Sequence, residues 1–326
     1  MSEITLAEAV TQALAYEMAH DENVVVLGQD IAVNGGVFRT TVGLLEKFGP
    51  ERVLDTPLAE SMIAGISIGM ATQGLKPVAE FQFMGFIYSA FDHMISHAAR
   101  MRNRTRGRLS CPLVYRAPFG GGIHAPEHHS ESTEALFAHV PGLRVVIPSS
   151  PARAYGLLLA AIRNPDPVLF LEPKRIYRLH KQEVPDNGEA LPLDQCFILR
   201  EGSDITLVTW GASTNESLLA AAELLKQGIR VEVIDLATIK PLDIVTIINS
   251  VEKTGRCLIV HEAARTCGVG AEIAAQLAEY ALTSLAAPIK RVTGFDTVMP
   301  YLKLEKYYIP STERIVEAAV ELMEYQ

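Results

Sequence analysis

The stretch that decides the fold is "DITLVTWGASTNESLLAAAELLKQGIRVEVIDL", Asp204–Leu236. Its two ends are short runs rich in β-branched residues, and between them apolar residues recur at helical spacing from Ser213 onward. Gly228 stands where a glycine commonly ends a helix. A strand, a helix and a second strand of these lengths form a βαβ unit, whose two strands run parallel. We therefore predict a parallel sheet in the C-terminal part of the chain.

The same alternation extends over the rest of the chain. Further strand candidates are the apolar runs Val24–Gly28, Pro77–Phe83, Pro112–Pro118, Arg144–Pro148, Val168–Pro173, Cys257–Glu262 and Ile289–Gly294. Helical periodicity marks Leu6–Ala19, Glu60–Gln73, Ile87–Met101 and Pro151–Arg163. The last of these helices has Ser150 as its expected cap and Pro151 at its first position. Buried strands that alternate with helices indicate an α/β fold with mostly parallel sheets covered on both faces.

Two domains are expected from the length of 326 residues and from one break in the pattern. Between Ile176 and Gly202, charges, prolines and an Asn-Gly pair interrupt every long periodic run. We predict a first domain at 1–185, a linker at 186–203 and a second domain at 204–326.

Composition excludes several classes of function. The formal charge of −9 would repel a phosphate backbone, so no nucleic-acid partner is expected. No run of 18 apolar residues occurs, and the N-terminal stretch is acidic where a targeting peptide would be basic. The four cysteines form no CxxC pair, which suits a reducing compartment. These features predict a cytoplasmic protein with no membrane segment.

A carboxylate stands in an unusual place in "LDTPLAES", Leu54–Ser61. Thr56 and Pro57 have the residue types of a helix cap and a first helical position, which predicts that a helix begins there. A capping-box glutamate would follow Thr56 by three residues, but Glu60 follows it by four. At the head of an apolar helix its carboxylate would be desolvated unless it meets a partner. Glu60 either favours the helix N-terminus alone or has a chemical role.

The same helix carries Gly65 and Gly69 four residues apart. Two glycines at that interval flatten one helix face and predict close approach of another backbone. The approaching element belongs either to this chain or to a second one.

A histidine-rich stretch, "GGGIHAPEHHSES", follows one of the strand candidates at Gly120–Ser132. His124 and His128 stand four apart, which is the spacing of helical metal ligands, but Pro126 and the three glycines oppose a regular helix. No further Cys or His cluster completes a zinc site. A loop at the end of a strand is where open α/β sheets present catalytic groups, and histidine carries protons near neutral pH. The sequence therefore favours a catalytic loop over a metal site.

Common nucleotide-binding signatures are absent from the sequence, which contains no P-loop and no GxGxxG fingerprint within a βαβ unit. The nearest match, "CGVGAE" at Cys267–Glu272, lacks the required spacing and predicts a helix start. The GxSxG pattern of the sequence, Gly65–Gly69, lies inside a predicted helix and not at the strand-to-helix turn of a hydrolase elbow.

Taken together, the motifs resemble one family. "VLDTPLAES", "PVAEFQFMGF", "APFGGGIHAPEHHSES", "PGLRVVIPSSPARAYGLLLAAIRNPDPVLFLEPKRIYR" and "VEVIDLATIKPLD" are similar to the beta subunit of the thiamin-dependent first component of 2-oxo acid dehydrogenase complexes, in the transketolase superfamily. The resemblance implies a pyrimidine-binding domain followed by a transketolase C-terminal domain. It also implies an α₂β₂ tetramer with thiamin diphosphate at each α/β interface. The alpha subunit would hold the diphosphate and Mg²⁺ through a GDG-type motif, which this chain lacks.

The resemblance also implies roles for individual residues. Glu60 matches the glutamate that hydrogen-bonds the aminopyrimidine ring of the cofactor. The positions that pack around that ring are matched by Leu58, Gln82 and Phe86.

His129 matches the family's active-site histidine, which orients and protonates the lipoyl group during acyl transfer. The family often reads "HSQ" here, whereas this chain reads "HSE" and places the charge of Glu131 nearby.

A structural K⁺ site is a further implication of the resemblance. Its ligands would be Leu113, Ala161, Ile162, Asn164 and Asp166. The last two positions show the expected Asn and Asp types exchanged.

The resemblance predicts a subunit that, with its alpha partner, decarboxylates pyruvate and reductively acylates a lipoyl domain. The expected partners are the lipoyl and peripheral subunit-binding domains of the dihydrolipoyl acyltransferase. One alternative is a branched-chain 2-oxo acid dehydrogenase subunit that acts on 2-oxoisovalerate. Another is a mainly structural docking subunit, and a third is a metal-dependent hydrolase at the histidine-rich stretch Gly120–Ser132.

Overall fold

The computed structural model describes residues 3–325, which divide into two compact units. The first unit runs to Phe119 and resumes at Leu136–Leu193. The second consists of Gly120–Ala135 together with the chain from Asp194 onward. The histidine-rich loop therefore belongs with the second unit, although a strand of the first unit leads into it. The domain boundaries proposed from the sequence, with a linker at 186–203, stay a prediction.

The first unit is built on parallel strands. Its strands are β1 (Glu3–Ile4), β2 (Val24–Gly28), β3 (Val53–Asp55), β4 (Lys76–Glu80), β5 (Val114–Phe119), β6 (Arg144–Val146), β7 (Val168–Pro173) and β8 (Gln182–Glu183). Six of them lie in the order β6-β7-β5-β4-β2-β3, and each neighbouring pair is parallel. β2, β5 and β7 are buried along their whole length, as strands covered on both faces should be. β1 and β8 form a separate antiparallel pair.

Helices of several types accompany this sheet. The α-helices numbered up to the linker are α1 (Leu6–His20), α2 (Leu44–Phe48), α3 (Glu60–Thr72), α4 (Met101–Arg104), α5 (Glu134–Ala138) and α6 (Pro151–Arg163). In the first unit, 3₁₀ helices lie at Met84–Ala90 and Lys174–Ile176, and a π-helix lies at His93–Ala98. The 3₁₀ turn Glu127–Ser130 belongs to the second unit. The predicted cap of α6 is confirmed: the Ser150 hydroxyl accepts the Arg153 backbone N–H at 3.3 Å, and Pro151 is the first helical residue.

The predicted helix start at Thr56 and Pro57 is wrong, because α3 begins only at Glu60, with Ala59 at the cap position. Tertiary hydrogen bonds hold the preceding residues in an extended path. The Asp55 carboxylate accepts the backbone N–H of Ala32 at 2.7 Å, and the Thr56 N–H donates to the Gly28 carbonyl at 2.9 Å. The segment between the end of β3 at Asp55 and the start of α3 at Glu60 is therefore non-helical, although its local residue types predict a helix.

The helix predicted over Ile87–Met101 is not a single α-helix. A 3₁₀ helix covers Met84–Ala90 and a π-helix covers His93–Ala98. The His93 ring lies 3.6 Å from the point where a Cβ on Gly65 would stand, so the flat face of α3 receives this ring. At Gly65 the neighbour is thus a histidine side chain of the same chain and not the backbone that was predicted, and Gly69 has no atom of residues 3–325 within 4 Å of its would-be Cβ.

The second unit contains the βαβ unit predicted at Asp204–Leu236. Its strands are β9 (Phe197–Arg200), β10 (Ile205–Thr209), β11 (Val231–Asp235), β12 (Thr238–Lys240), β13 (Cys257–Val260) and β14 (Lys290–Val292). Its helices are α7 (Ser213–Lys226), α8 (Ile244–Thr254), α9 (Val269–Tyr280), α10 (Leu302–Tyr308) and α11 (Thr312–Glu324), with a 3₁₀ turn at Leu282–Ser284. The sheet order is β14-β13-β10-β11-β9. All neighbours in it are parallel except β9, which lies within the predicted linker and pairs antiparallel with β11. The core of the unit is apolar and includes Leu207, Leu224 and Ile315.

No helix within residues 3–325 is long and apolar enough to cross a membrane. The predicted cytoplasmic location stays a prediction.

Candidate active site

Glu60 is the first residue of α3 and is half-buried. No hydrogen bond or ion pair engages its carboxylate within the described part of the chain. The next residue ties the helix to its neighbour, because the Ser61 hydroxyl donates to the Ser89 carbonyl in the 3₁₀ helix Met84–Ala90. A carboxylate with this exposure keeps its oxygens available to accept a hydrogen bond from a ligand.

Apolar side chains lie around the start of α3. Phe86 belongs to the 3₁₀ helix that packs against α3, and its ring lies 5.4 Å from that of Phe83. Leu58, two residues before Glu60, is 65% exposed. Gln82 is half-buried two residues beyond β4. The structure therefore places Glu60 and Phe86 on adjoining elements, and the exposed Leu58 precedes Glu60 by two residues.

A buried charge network joins three strands of the first unit. Arg116 donates to Glu80 at 2.9 Å and to Glu172 at 2.6 and 3.0 Å, and all three side chains are nearly inaccessible to solvent. The hydroxyls of Thr40 and Tyr177 complete the network, at 3.2 Å from Glu80 and 2.7 Å from Glu172. Burial opposes the charge on Arg116, but the two carboxylates outweigh it and raise the pKa of Arg116.

The pKa of Glu80 is raised chiefly by burial, against the opposing effect of Arg116. Sequence reasoning missed these residues. The available signal was a charged residue beside apolar, strand-forming residues in each of three strands, where an unpaired charge would be costly.

The histidine loop, Gly120–Ala135, is fastened by two buried carboxylates. Glu262 accepts the Gly121 backbone N–H and, at 3.1 Å, the Ser132 hydroxyl. Glu305, in α10, accepts the Gly122 backbone N–H at 2.7 Å. The same carboxylate meets the backbone N–H and the ring Nδ1 of His124, whose side chain is 63% exposed.

The glycines of this loop serve close packing. Gly120 has a φ of +81°, and a Cβ there would lie 2.8 Å from Oε1 of Glu262. A Cβ on Gly121 would collide with the end of the Met299 side chain. The loop begins with glycine because its backbone lies directly on the Glu262 carboxylate.

His129 lies in the 3₁₀ turn Glu127–Ser130 and is half-buried. Its backbone N–H donates to the Pro126 carbonyl at 3.0 Å, and the Ser130 hydroxyl donates to the Ala125 carbonyl. Local hydrogen bonds thus shape the turn that presents the imidazole.

Glu131 lies beside the other histidine of the pair. Its Oε1 is 3.6 Å from Nδ1 of His128, which is 58% exposed. The backbone carbonyl of Glu131 accepts the Gly120 N–H at 2.9 Å, and this hydrogen bond joins the start of the loop to the segment that follows the His129 turn.

The turn borders an open cavity of about 460 Å³ within the second unit. Its lining includes Glu127, Glu131, Asp296, Met299 and Tyr308. Burial raises the pKa of Tyr308 to about 12, with help from the charges of Glu262 and other nearby acids.

At the far end of the loop, Glu134 is buried at the start of α5 and accepts the indole N–H of Trp210 at 3.1 Å. Burial raises the pKa of Glu134 to about 7, against the effect of that hydrogen bond. His261 stacks on Trp210 with ring centroids 5.0 Å apart, and burial lowers the pKa of His261 to about 4. These three residues were not singled out from the sequence, where they are far apart.

The structure gives no support to a metal site at the histidine loop. Among residues 3–325, no group of three or more His, Cys, Asp or Glu side chains is arranged to hold a metal ion. The ring of His124 faces Glu305 instead.

Several groups proposed for K⁺ already have partners. The carbonyls of Leu113 and Ala161 accept backbone N–H groups, from Val168 at 3.0 Å and from Asn164 at 3.2 Å. Arg102 lies 2.6 Å from the Asp166 carboxylate and supplies a positive charge there. The Oδ1 of Asn164 accepts the Asp166 backbone N–H at 3.0 Å. The structural K⁺ site, for which Ile162 is the fifth proposed ligand, stays a prediction.

Family comparisons define the class of the protein first. Residues 2–180 match the model of the transketolase pyrimidine-binding domain, and residues 194–315 match that of the transketolase C-terminal domain. A solved structure described as "Split gene transketolase, inactive beta4 tetramer" is similar over 99% of both chains, with a TM-score of 0.81 and 25% identity. The fold is that of two transketolase-type domains.

Curated relatives then specify the family. The chain is 48% identical over 325 residues to the pyruvate dehydrogenase E1 component subunit beta of Bacillus subtilis, and 46% identical to that of Staphylococcus aureus. Each match covers 100% of both chains. The chain therefore belongs to the family of pyruvate dehydrogenase E1 component beta subunits, a thiamin diphosphate family of 2-oxo acid dehydrogenase components. The resemblance found in the sequence is confirmed.

Proposed function

We propose that this chain, together with an alpha subunit, catalyses the oxidative decarboxylation of pyruvate and the reductive acetylation of a lipoyl domain. The observation that carries the proposal is the Glu60 carboxylate, half-buried at the head of α3 and without a partner in the described chain. Pyruvate is preferred as the substrate because the full-length relatives are named pyruvate dehydrogenase subunits.

The residues around Glu60 fit one half of a thiamin diphosphate site. Glu60 would accept a hydrogen bond from the protonated ring nitrogen of the aminopyrimidine, and Phe86 and Leu58 would cover the ring faces. Gln82 supplies a polar edge nearby. When bound, thiamin diphosphate supplies a thiazolium ring that takes up the electron pair left as carbon dioxide departs. Glu60 promotes this chemistry by stabilising the protonated state of the aminopyrimidine.

The other half of the site would come from an alpha subunit. This chain has no GDG-type motif, so Mg²⁺ and the diphosphate need ligands from another chain. Large apolar side chains near Glu60 in the first unit are exposed, among them Leu58 at 65%, Ile66 at 45% and Tyr88 at 38%. A partner that covered them would bury apolar surface, which favours association with an alpha subunit. The α₂β₂ stoichiometry is proposed from the resemblance to the family.

His129 is proposed to act on the lipoyl group of the acyltransferase. When the acyl carbon bonds to one sulfur of the dithiolane, the S–S bond breaks and the second sulfur takes a proton. An imidazole is the natural donor for that proton. The 3₁₀ turn that carries this ring is closed by a backbone hydrogen bond from the His129 N–H to the Pro126 carbonyl.

Co-expression with an alpha subunit tests the proposed reaction. The purified complex should be assayed with thiamin diphosphate and Mg²⁺ against pyruvate, 2-oxoisovalerate and 2-oxoglutarate. We expect the highest kcat/KM with pyruvate. Preference for 2-oxoisovalerate would instead identify a branched-chain enzyme, and inactivity with all three would leave only a docking role.

Replacing His129 by alanine should separate the two half-reactions. We expect lipoyl acetylation to fall by at least about 100-fold, because proton transfer loses its donor, while decarboxylation coupled to an artificial acceptor changes less. His128→Ala, the exposed neighbour, is the matched control and should retain acetylation. Equal losses in both half-reactions, or in both variants, would refute the role of His129.

A further inference from the structure

Two buried carboxylates of the second unit have no part in the proposed chemistry. Glu262 follows β13 by two residues and is 6% exposed, and Glu305 lies in α10 and is 2% exposed. A buried carboxylate is costly unless hydrogen bonds satisfy its oxygens. The donors that satisfy these two side chains come mainly from the histidine loop.

Glu305 holds the first part of the loop. Its Oε1 accepts the backbone N–H groups of Gly122 at 2.7 Å and His124 at 3.4 Å, and its Oε2 meets the ring Nδ1 of His124. Two of these donors are backbone groups, so the contact fixes the path of the chain as well as one side chain.

Glu262 holds both ends of the same loop. One oxygen, Oε1, accepts the Gly121 N–H and the Ser132 hydroxyl, residues that bracket the turn containing His129. The glycine at position 120 allows this contact, since a Cβ there would lie 2.8 Å from that oxygen.

We propose that Glu262 and Glu305 are positioning residues that hold the histidine loop in one conformation and so place the His129 imidazole for lipoyl acylation. The link to acylation rests on the proposed function, whereas the holding of the loop does not. Without these carboxylates the loop gains conformational freedom, and a misplaced proton donor slows the reaction it serves.

Glutamine and alanine variants of Glu262 and Glu305 show whether the hydrogen-bond acceptors of these side chains hold the loop. In Glu262→Gln the amide oxygen can still accept both donors. In Glu305→Gln it can still accept the two backbone N–H groups, and an amide nitrogen replaces the oxygen that faces the His124 ring. Alanine at either position removes every acceptor. The glutamine variants should therefore keep the loop closed, while the alanine variants release it.

Amide hydrogen exchange in the assembled complex measures how firmly the backbone of the histidine loop is held. In Glu305→Ala we expect the backbone amides of Gly122 and His124 to exchange at least about tenfold faster than in the unmodified chain. In Glu262→Ala we expect the same increase for the Gly121 amide. Amides of β13 should stay slow, which shows that the unit is folded. Glu279→Ala, at an exposed glutamate of α9, is the control and should change none of these rates.

Activity is measured on the same variants. Both alanine variants should lose lipoyl acetylation by about tenfold or more and keep decarboxylation to an artificial acceptor, and glutamine should restore acetylation. Should Glu305→Ala fail to fold, Glu305→Asp keeps the charge but shortens its reach, and must still speed exchange at Gly122.

Unchanged exchange in the alanine or aspartate variants, or equal exchange with alanine and glutamine, would overturn the holding of the loop. Faster exchange with undiminished acetylation would overturn the placement of His129. If His129→Ala itself retained acetylation, the proposed function of that residue would fail, and the exchange rates would still decide the holding role.

Discussion

At Glu134 a single carboxyl group couples the stability of the second unit to pH. Burial raises its pKa from an ordinary 4.5 to about 7 in the folded chain. Between those values the folded state keeps a proton that the unfolded state has released. The stabilising contribution of Glu134 is therefore full below about pH 4.5 and is lost as the pH rises through 7.

The variant Glu134→Gln should remove this dependence, because an amide stays neutral and its oxygen can still accept the Trp210 N–H. We expect the variant to gain in thermal midpoint relative to the unmodified chain as the pH rises from 5 to 8. His261, whose lowered pKa acts in the opposite sense below its ordinary 6.5, contributes to both proteins and cancels in the difference. A difference that stayed flat across this range would contradict the raised pKa of Glu134.

At the scale of elements, Arg116 joins β4, β5 and β7 through Glu80 and Glu172. Arg116→Met should lower the free energy of unfolding by about 3–5 kcal/mol, because it leaves two carboxylates buried without a cation. Denaturant unfolding of the chain measures this loss.

An exposed ion pair provides the comparison. Lys226 lies 2.7 Å from Glu223 on α7, and both side chains are more than half exposed. Lys226→Ala should change the free energy of unfolding by no more than about 0.5 kcal/mol. If Arg116→Met lowered the free energy of unfolding by no more than Lys226→Ala does, the buried network would contribute little to stability.

The elements also show which signals in the sequence were sufficient. α6 and β7 have the predicted bounds, Pro151–Arg163 and Val168–Pro173, because a cap and an apolar run act locally. Thr56 failed as a cap because Asp55 bonds to residues more than twenty positions away. Local residue types cannot register such a contact, and tertiary hydrogen bonds prevail over propensity.

Some residues of the candidate site could be predicted from the sequence and others could not. His129 and its glycines form a compact local pattern, and Glu60 stood out by its place at a helix head. Glu262 and Glu305 were not found, because each contacts the histidine loop across more than one hundred residues of sequence. Their burial and their donors become visible only in the folded chain.

At the scale of the whole molecule, the exposed apolar surface near Glu60 predicts dependence on a partner. Ile66→Lys places a charge at a side chain 45% exposed on α3. We expect it to abolish co-purification with the alpha subunit while leaving the thermal midpoint of the isolated chain nearly unchanged, since little of the core is touched.

Leu219→Lys, at a leucine 52% exposed on α7 of the second unit, is the control for added charge and should still co-purify. Normal assembly of Ile66→Lys would place the alpha subunit elsewhere on the chain.

The central claim is that this chain contributes Glu60 to a thiamin diphosphate site completed by another subunit. The most direct measurement is pyruvate decarboxylation, coupled to an artificial electron acceptor, by the assembled complex carrying Glu60→Gln. Glu46→Gln, at an exposed glutamate of α2, is the matched control. We predict that turnover by Glu60→Gln falls by at least about 100-fold with assembly intact, because the amide cannot stabilise the protonated ring. Turnover close to that of the control would contradict the account.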